Sequence, residues 1–179
     1  MTRTAEVPAF GLVAAAVAGD KAAFERIVTA HHDDMRRVCI VVCGDEALAE
    51  DAVQSAWTIA WRKLRSLKDP GRLRPWLVAI AANQARDLVR GRRHRSGVEV
   101  VSDMARVPGG IDPATGVDSL DLFAAMKRLD PDDRALLAMR YVVGFNSTEL
   151  STALGISPSG TRNRLERLLA RLRQDLTDG

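Results

Sequence analysis

The sequence predicts an all-α protein, and three observations carry that expectation. The chain has 179 residues, 46% of them hydrophobic but only 4% aromatic. Ala, Leu, Val and Arg dominate, a composition that suits helices packed on small side chains better than a sandwich of aromatic and β-branched residues. Apolar residues recur at helical spacings over long stretches, and glycine, proline and Asn or Asp signals fall between those stretches.

From Lys21 to Val42, the residues Phe24, Ile27, Val28, Met35, Val38 and Val42 recur mostly at spacings of three, four and seven. The pattern predicts one amphipathic helix or a broken pair. Gly44-Asp45 ends it, and a second stripe runs through Leu48, Ala49, Ala52, Val53, Ala56, Trp57, Ala60, Trp61 and Leu64, with Glu50, Asp51 and Gln54 on the other face. Turn chemistry at Lys68, Asp69, Pro70 and Gly71 predicts a loop over Ser66–Arg74. Pro75 suits the first turn of a third helix, from about Trp76 to Arg90. Trp76, Leu77, Ile80, Ala81 and Leu88 give that helix an apolar side, and Asn83, Arg86, Asp87 and Arg90 a polar one.

Periodicity fails from Ser96 to Asp118, where Gly97, Pro108, Gly109, Gly110, Pro113 and Gly116 cluster. A loop that long is uncommon inside a compact domain, so a linker over 96–118 between two helical units is the simpler reading. Pattern resumes at Leu120, with Leu122, Phe123, Met126 and Leu129, then Leu136, Leu137, Met139, Tyr141 and Val142. The stretch from Asn146 to Pro158 reads as a helix-turn-helix. Asn146 caps a helix with Glu149 at the reciprocal position, Gly155 makes the turn, Ser157 caps the next helix, and Pro158 fits its first position. The second helix carries Arg162, Asn163, Glu166 and Arg167, side chains whose donors and acceptors match base edges and phosphates in a major groove.

Net charge is only +3, but it is segregated. Arg90, Arg92, Arg93 and Arg95 form one basic cluster, and Arg162, Arg164, Arg167, Arg171 and Arg173 another; between them, from Ser96 to Leu122, Glu99, Asp103, Asp112, Asp118 and Asp121 face the single base Arg106. This order points to nucleic acid at two places. Cys39 and Cys43, four apart in an apolar stretch, read as buried thiols, since a disulfide at that spacing strains a regular helix. The apolar run Val13–Ala18 is far shorter than the ~20 residues a membrane span needs, and Glu6 and Pro8 interrupt any export signal. A cytoplasmic protein without membrane insertion is expected. His31, His32 and His94 have no partner at a metal or catalytic spacing, and there is no phosphate loop or recognisable nucleophile, so neither enzymatic activity nor a cofactor is expected.

The ordered series Gly19-Asp20, Ala23-Phe24, Gly44-Asp45, Ala49-Glu50-Asp51, Val53-Gln54, Ala60-Trp61, Trp76-Leu77, Ile80-Ala81, Asn83 and Asp87, followed by the arginine cluster, resembles region 2 of the extracytoplasmic-function (ECF) sigma factors of bacterial RNA polymerase. Leu129, Pro131, Arg134, Arg140, Gly144, Glu149, Leu154, Gly155, Arg164, Leu165, Arg167, Leu172 and Arg173 resemble their region 4. Ser159-Gly160-Thr161 and the Asn146 cap depart from the usual region 4 pattern.

The resemblance implies two small helical domains, a region 2 bundle over 1–95 and a region 4 helix-turn-helix over 119–179, joined by the flexible acidic linker 96–118. It implies that Glu50, Asp51 and Gln54 meet the clamp helices of the polymerase β′ subunit, and that region 4 meets the β flap. It assigns Trp76, Asn83, Asp87, Arg90 and Arg93 to the -10 element, whose opened bases need amide and carboxylate edges, stacking surfaces and a basic track. Arg162, Asn163, Glu166 and Arg167 go to the -35 element. An anti-sigma factor is a further implied partner, and the acidic linker would suit a positively lined channel. Two other readings compete. A conventional helix-turn-helix regulator would bind duplex DNA without polymerase but has no use for the Arg90–Arg95 cluster. A sigma mimic that titrates an anti-sigma factor would not need either basic cluster.

Overall fold

The computed structural model describes residues 9–96 and 125–177, all side chains included except those of Ala9, Phe10, Arg93, Arg95, Ser96 and Leu176. The predicted linker beyond Ser96, together with Leu120, Leu122 and Phe123, lies outside them. Among the described residues every regular element is helical. They are α1 (Ala9–Val17), α2 (Lys21–Cys43), α3 (Glu46–Lys63), α4 (Leu73–Ser96), α5 (Pro131–Leu137), α6 (Ser147–Leu154) and α7 (Pro158–Thr177).

Capping chemistry sets most boundaries. Asp20 accepts the Ala23 N–H at 3.1 Å and starts α2, which runs unbroken to Gly44, whose φ of 67° lets its N–H reach the Ile40 carbonyl. Asp45 then accepts the Leu48 N–H at 2.8 Å and opens α3 two residues before the first apolar stripe position. In α3 the stripe is small: Ala49, Ala52, Ala56 and Ala60 are wholly buried, which lets α3 lie close against α2 and α4. The predicted loop from Ser66 to Arg74 contains short 3-10 turns at Leu64–Ser66 and Pro70–Arg72, and α4 starts at Leu73 rather than Trp76, with Pro75 in its first turn. Helix α1 is an addition to the sequence reading. Its Val13 and Ala16 are buried against α2, while Ala14 and Val17 of the same run face solvent.

In the second half Asp130 caps α5 by accepting from the Asp132 and Asp133 amides, with Pro131 at the first position. The chain then makes one wide π turn over Ala138–Val142. Asn146 and Glu149 form the reciprocal capping box of α6, at 2.9–3.0 Å, and Gly155 (φ 66°) turns the chain toward α7. Asn146→Ala is expected to cost about 1 kcal/mol, because the Thr148 and Glu149 amides lose their acceptor. An unchanged urea midpoint would show that water replaces the cap without loss.

One hydrophobic core runs through both halves. Met35, Val38 and Val42 of α2 and Leu136 and Met139 of the second half are fully buried, and α5 and the π turn lie directly on α2. The cysteines fall where the sequence places them. Cys39 is buried and donates its S–H toward the Ala81 carbonyl at 3.5 Å, and Cys43 is half-buried. Burial pushes both thiols up, Cys43 to about 12, which leaves almost no thiolate near neutrality.

Candidate nucleic-acid and polymerase interfaces

Helix α7 divides cleanly into two sides. Thr161, Leu165, Leu168 and Leu172 are buried, while Arg162, Asn163, Glu166 and Arg167 are all exposed. The four predicted -35 residues therefore share one solvent-facing side. Arg164, in the middle of them in sequence, turns the other way. Its Nε and terminal nitrogen both donate to Asp133 Oδ1, at 3.0 and 2.7 Å. Burial pushes the Asp133 pKa up, against the opposing pull of the Arg164 hydrogen bonds. Arg164 thus ties the helix to α5 while its neighbours face solvent, a division that residue type alone does not reveal.

Trp76 is half-buried at the start of α4. It lines a cavity of about 310 Å³ together with Ser66, Leu67, Lys68, Arg72 and Thr152. The rim is fixed by Asp69, which accepts the Gly71 N–H at 2.9 Å. Further along α4, Asn83 and Asp87 are exposed, and Arg90 is half-exposed. Asn83 accepts from Arg86, while Arg90 reaches Asp132 of the second half at 2.6 Å. The α4 backbone carries Arg93, whose side chain lies outside the described residues.

On α3, Asp51 and Gln54 are exposed. Glu50 is already engaged: Arg36 of α2 donates to it at 2.7 Å and also pairs with Glu46. The hydrogen bond with Glu50 raises the Arg36 pKa further. Of the three predicted polymerase contacts, Glu50 is thus the one with an internal competitor.

The tryptophans separate by position. Trp57 is half-buried and donates its indole N–H to His32 Nδ1 at 3.3 Å. Trp61, in the apolar stripe of α3 by its spacing, is instead 42% exposed, in edge-to-face contact with Phe24 with the ring centroids 4.6 Å apart. His31 is half-buried, and burial lowers its pKa, so it stands neutral at physiological pH.

Arg74 is the residue that sequence patterning misses. It donates to Asp34 at 2.8 Å and to the Val143 carbonyl at 2.8 Å, and its guanidinium lies 5.0 Å from the Phe145 ring centroid. It joins α2, α4 and the second half at one point. A long basic residue at the end of a predicted loop gives no such signal in the sequence, because each partner is distant along the chain.

The family model for sigma-70 region 2 matches residues 27–95, and that for sigma-70 region 4 matches residues 119–172. The chain is 32% identical to the RNA polymerase sigma factor CarQ of Myxococcus xanthus, over 87% of this chain and 90% of CarQ. The chain belongs to the ECF sigma factors. A second relative, described as a probable RNA polymerase sigma factor RfaY of Xanthomonas campestris pv. campestris, is also 32% identical, and the match spans 90% of this chain but only 42% of that protein. Among solved structures, the sigma factor CnrH of Cupriavidus metallidurans, in complex with the cytosolic domain of CnrY, superposes with a TM-score of 0.70 at 27% identity, covering 93% of this sigma factor and 96% of CnrH. Among its described residues, no helix of this sigma factor is long and apolar enough to cross a membrane, and no group of side chains is placed to hold a metal ion.

Proposed function

We propose that this sigma factor docks on core RNA polymerase through Asp51 and Gln54 of α3, reads the -35 element with the exposed side of α7, and captures the opened -10 element along α4. The domains follow as region 2 over 1–95, a linker over 96–118 and region 4 over 119–179, with region 4 also meeting the β flap. The observation that carries the reading is the sidedness of α7: Arg162, Asn163, Glu166 and Arg167 all face solvent, while Arg164 is spent on Asp133. Arginine on guanine, asparagine on adenine and glutamate on cytosine are the pairings such a surface offers.

On region 2, Trp76 and the adjoining cavity offer a stacking wall for an unstacked base, and Asn83, Asp87, Arg90 and Arg93 offer polar edges and a basic track. All of this is binding chemistry. The protein itself catalyses no bond change and works in the cytoplasm, where polymerase is. An anti-sigma factor is the expected regulator, acting by covering these faces.

Run-off transcription with core polymerase on genomic fragments tests the reading. The wild type is expected to start transcripts at discrete sites, and Arg162→Ala, Arg167→Ala to lose about 30-fold or more at the same sites, since each specific side-chain contact is worth about 1–3 kcal/mol. Duplex binding without any initiation would make the chain a conventional regulator instead.

A further inference from the structure

The solvent side of α7 is basic with one exception. From Pro158 to Gln174 the only acid is Glu166, set against Arg162, Arg164, Arg167, Arg171 and Arg173. The fold fixes where it points. Leu165 and Leu168 beside it are buried, and Arg164 is bound to Asp133 at 2.7 Å, so α7 cannot roll to hide the carboxylate without breaking both attachments. Glu166 therefore stays exposed among Arg162, Asn163 and Arg167. Its neighbours leave it without a counter-ion. Arg167 turns its Nε to the Asn163 carbonyl at 3.3 Å, and among the described residues no hydrogen bond or ion pair engages the side chain of Glu166 or of Arg162. Arg162 precedes Glu166 by four residues, the less favourable order for a helical ion pair.

An uncompensated carboxylate on a DNA-facing side repels the phosphate backbone, so it lowers affinity for every duplex alike unless a base donates to it. In the major groove the donors are the N4 amino group of cytosine and the N6 amino group of adenine; guanine and thymine present N7, O6 or O4 acceptors that repel a carboxylate. The adenine amino group lies between two acceptors, its own N7 and O4 of the paired thymine. That of cytosine has an acceptor on one side only, O6 of the paired guanine. We propose that Glu166 is a specificity-determining residue of α7, selecting cytosine at one position of the duplex and rejecting guanine and thymine there. The inference deepens the proposed function and rests on its placing α7 in the major groove. Four residues of helix separate Glu166 from Arg162, about 6 Å along the axis against about 3.4 Å per base pair, so the cytosine lies about two base pairs from the guanine that Arg162 suits.

The test selects duplexes from a library with a short random window, using the full chain alone and bound to core polymerase, at one salt concentration. The wild type should enrich cytosine about tenfold or more over guanine and thymine at a single position. Glu166→Ala should flatten that position to within about twofold and tighten binding to unselected duplex. Glu166→Gln should move the preference to adenine, whose N6 and N7 suit an amide. Asp175→Asn, near the end of the same helix, controls for the loss of one negative charge and should keep the cytosine. All three should unfold at the wild-type urea concentration, which a merely structural role for Glu166 would not allow. A cytosine preference that survives in Glu166→Ala overturns the inference, as does a wild type that selects no cytosine. If other base preferences persist in Glu166→Ala but vanish in Arg162→Ala, Arg167→Ala, the groove-facing reading of α7 stands and the role of Glu166 falls. Selection of cytosine through Glu166 by a chain that starts no transcript with core polymerase keeps the inference and loses the sigma reading.

Discussion

Phe145→Ala should destabilise the second half by about 3–5 kcal/mol, the usual cost of deleting a large aromatic side chain from a packed interior. Phe145 is fully buried between the π turn and α6. Its N–H donates to the Met139 carbonyl at 2.9 Å and its own carbonyl accepts from Arg140 at 2.8 Å, so the backbone around it is held on both sides. The ring is also the platform beneath Arg74. Removing it opens a cavity and strips one partner from the residue that joins the halves. Urea unfolding followed by helix signal should show an earlier transition, and a second transition would separate from the first if the halves lose their coupling. The helix-turn-helix would then be poorly positioned, so transcription from promoters with a -35 element should fall while polymerase binding persists. A loss below about 1 kcal/mol would mean that the site collapses around the missing ring and that the Arg74 platform is dispensable.

Local chemistry made much of this architecture readable in advance. The Asn146–Glu149 box, the Gly155 turn and the Ser157–Pro158 start depend on neighbours within a few residues, and those neighbours are visible in sequence. The same holds for Gly44, where a left-handed backbone ends α2. Helical spacing alone placed Met35, Val38 and Val42 inside. Four features escaped. The π turn at Ala138–Val142 depends on the Val143 N–H reaching back to Ala138 at 3.1 Å, a wide bond with no composition of its own. Trp61 sits in the apolar register of α3 yet is 42% exposed near that helix's end, in edge-to-face contact with Phe24. Arg74 and Asp132 gain their roles from residues tens of positions away.

The candidate site residues show the same limit. Periodicity puts Glu50 and Asp51 on the polar side of α3, and both carry a carboxylate, so sequence treats them alike. The fold distinguishes them through Arg36, which lies on another helix and pairs with Glu50 alone of the two. Likewise the α7 arginines look equivalent in sequence, until Asp133 singles out Arg164.

That distinction on α3 gives the second large effect. Asp51→Arg should weaken binding to core polymerase by about 30-fold to more than 10³-fold, as expected when a charge pairing across an interface is reversed at about 2–5 kcal/mol and 1.4 kcal/mol corresponds to tenfold. Because Asp51 is exposed, its replacement should leave the urea midpoint within about 0.5 kcal/mol of the wild type, which separates a docking defect from a folding defect. Glu50→Ala should do less to polymerase binding, because Glu50 must leave Arg36 before it can serve a partner and that exchange offsets part of its contribution. It should instead lower stability slightly, by the few tenths of a kcal/mol that a partly exposed ion pair contributes. Titration of labelled core polymerase with each variant reads both effects. If Glu50→Ala proves as damaging as Asp51→Arg, Arg36 releases its partner on docking and α3 is a rearranging surface; if Asp51→Arg binds like the wild type, the polymerase contact lies off α3 altogether.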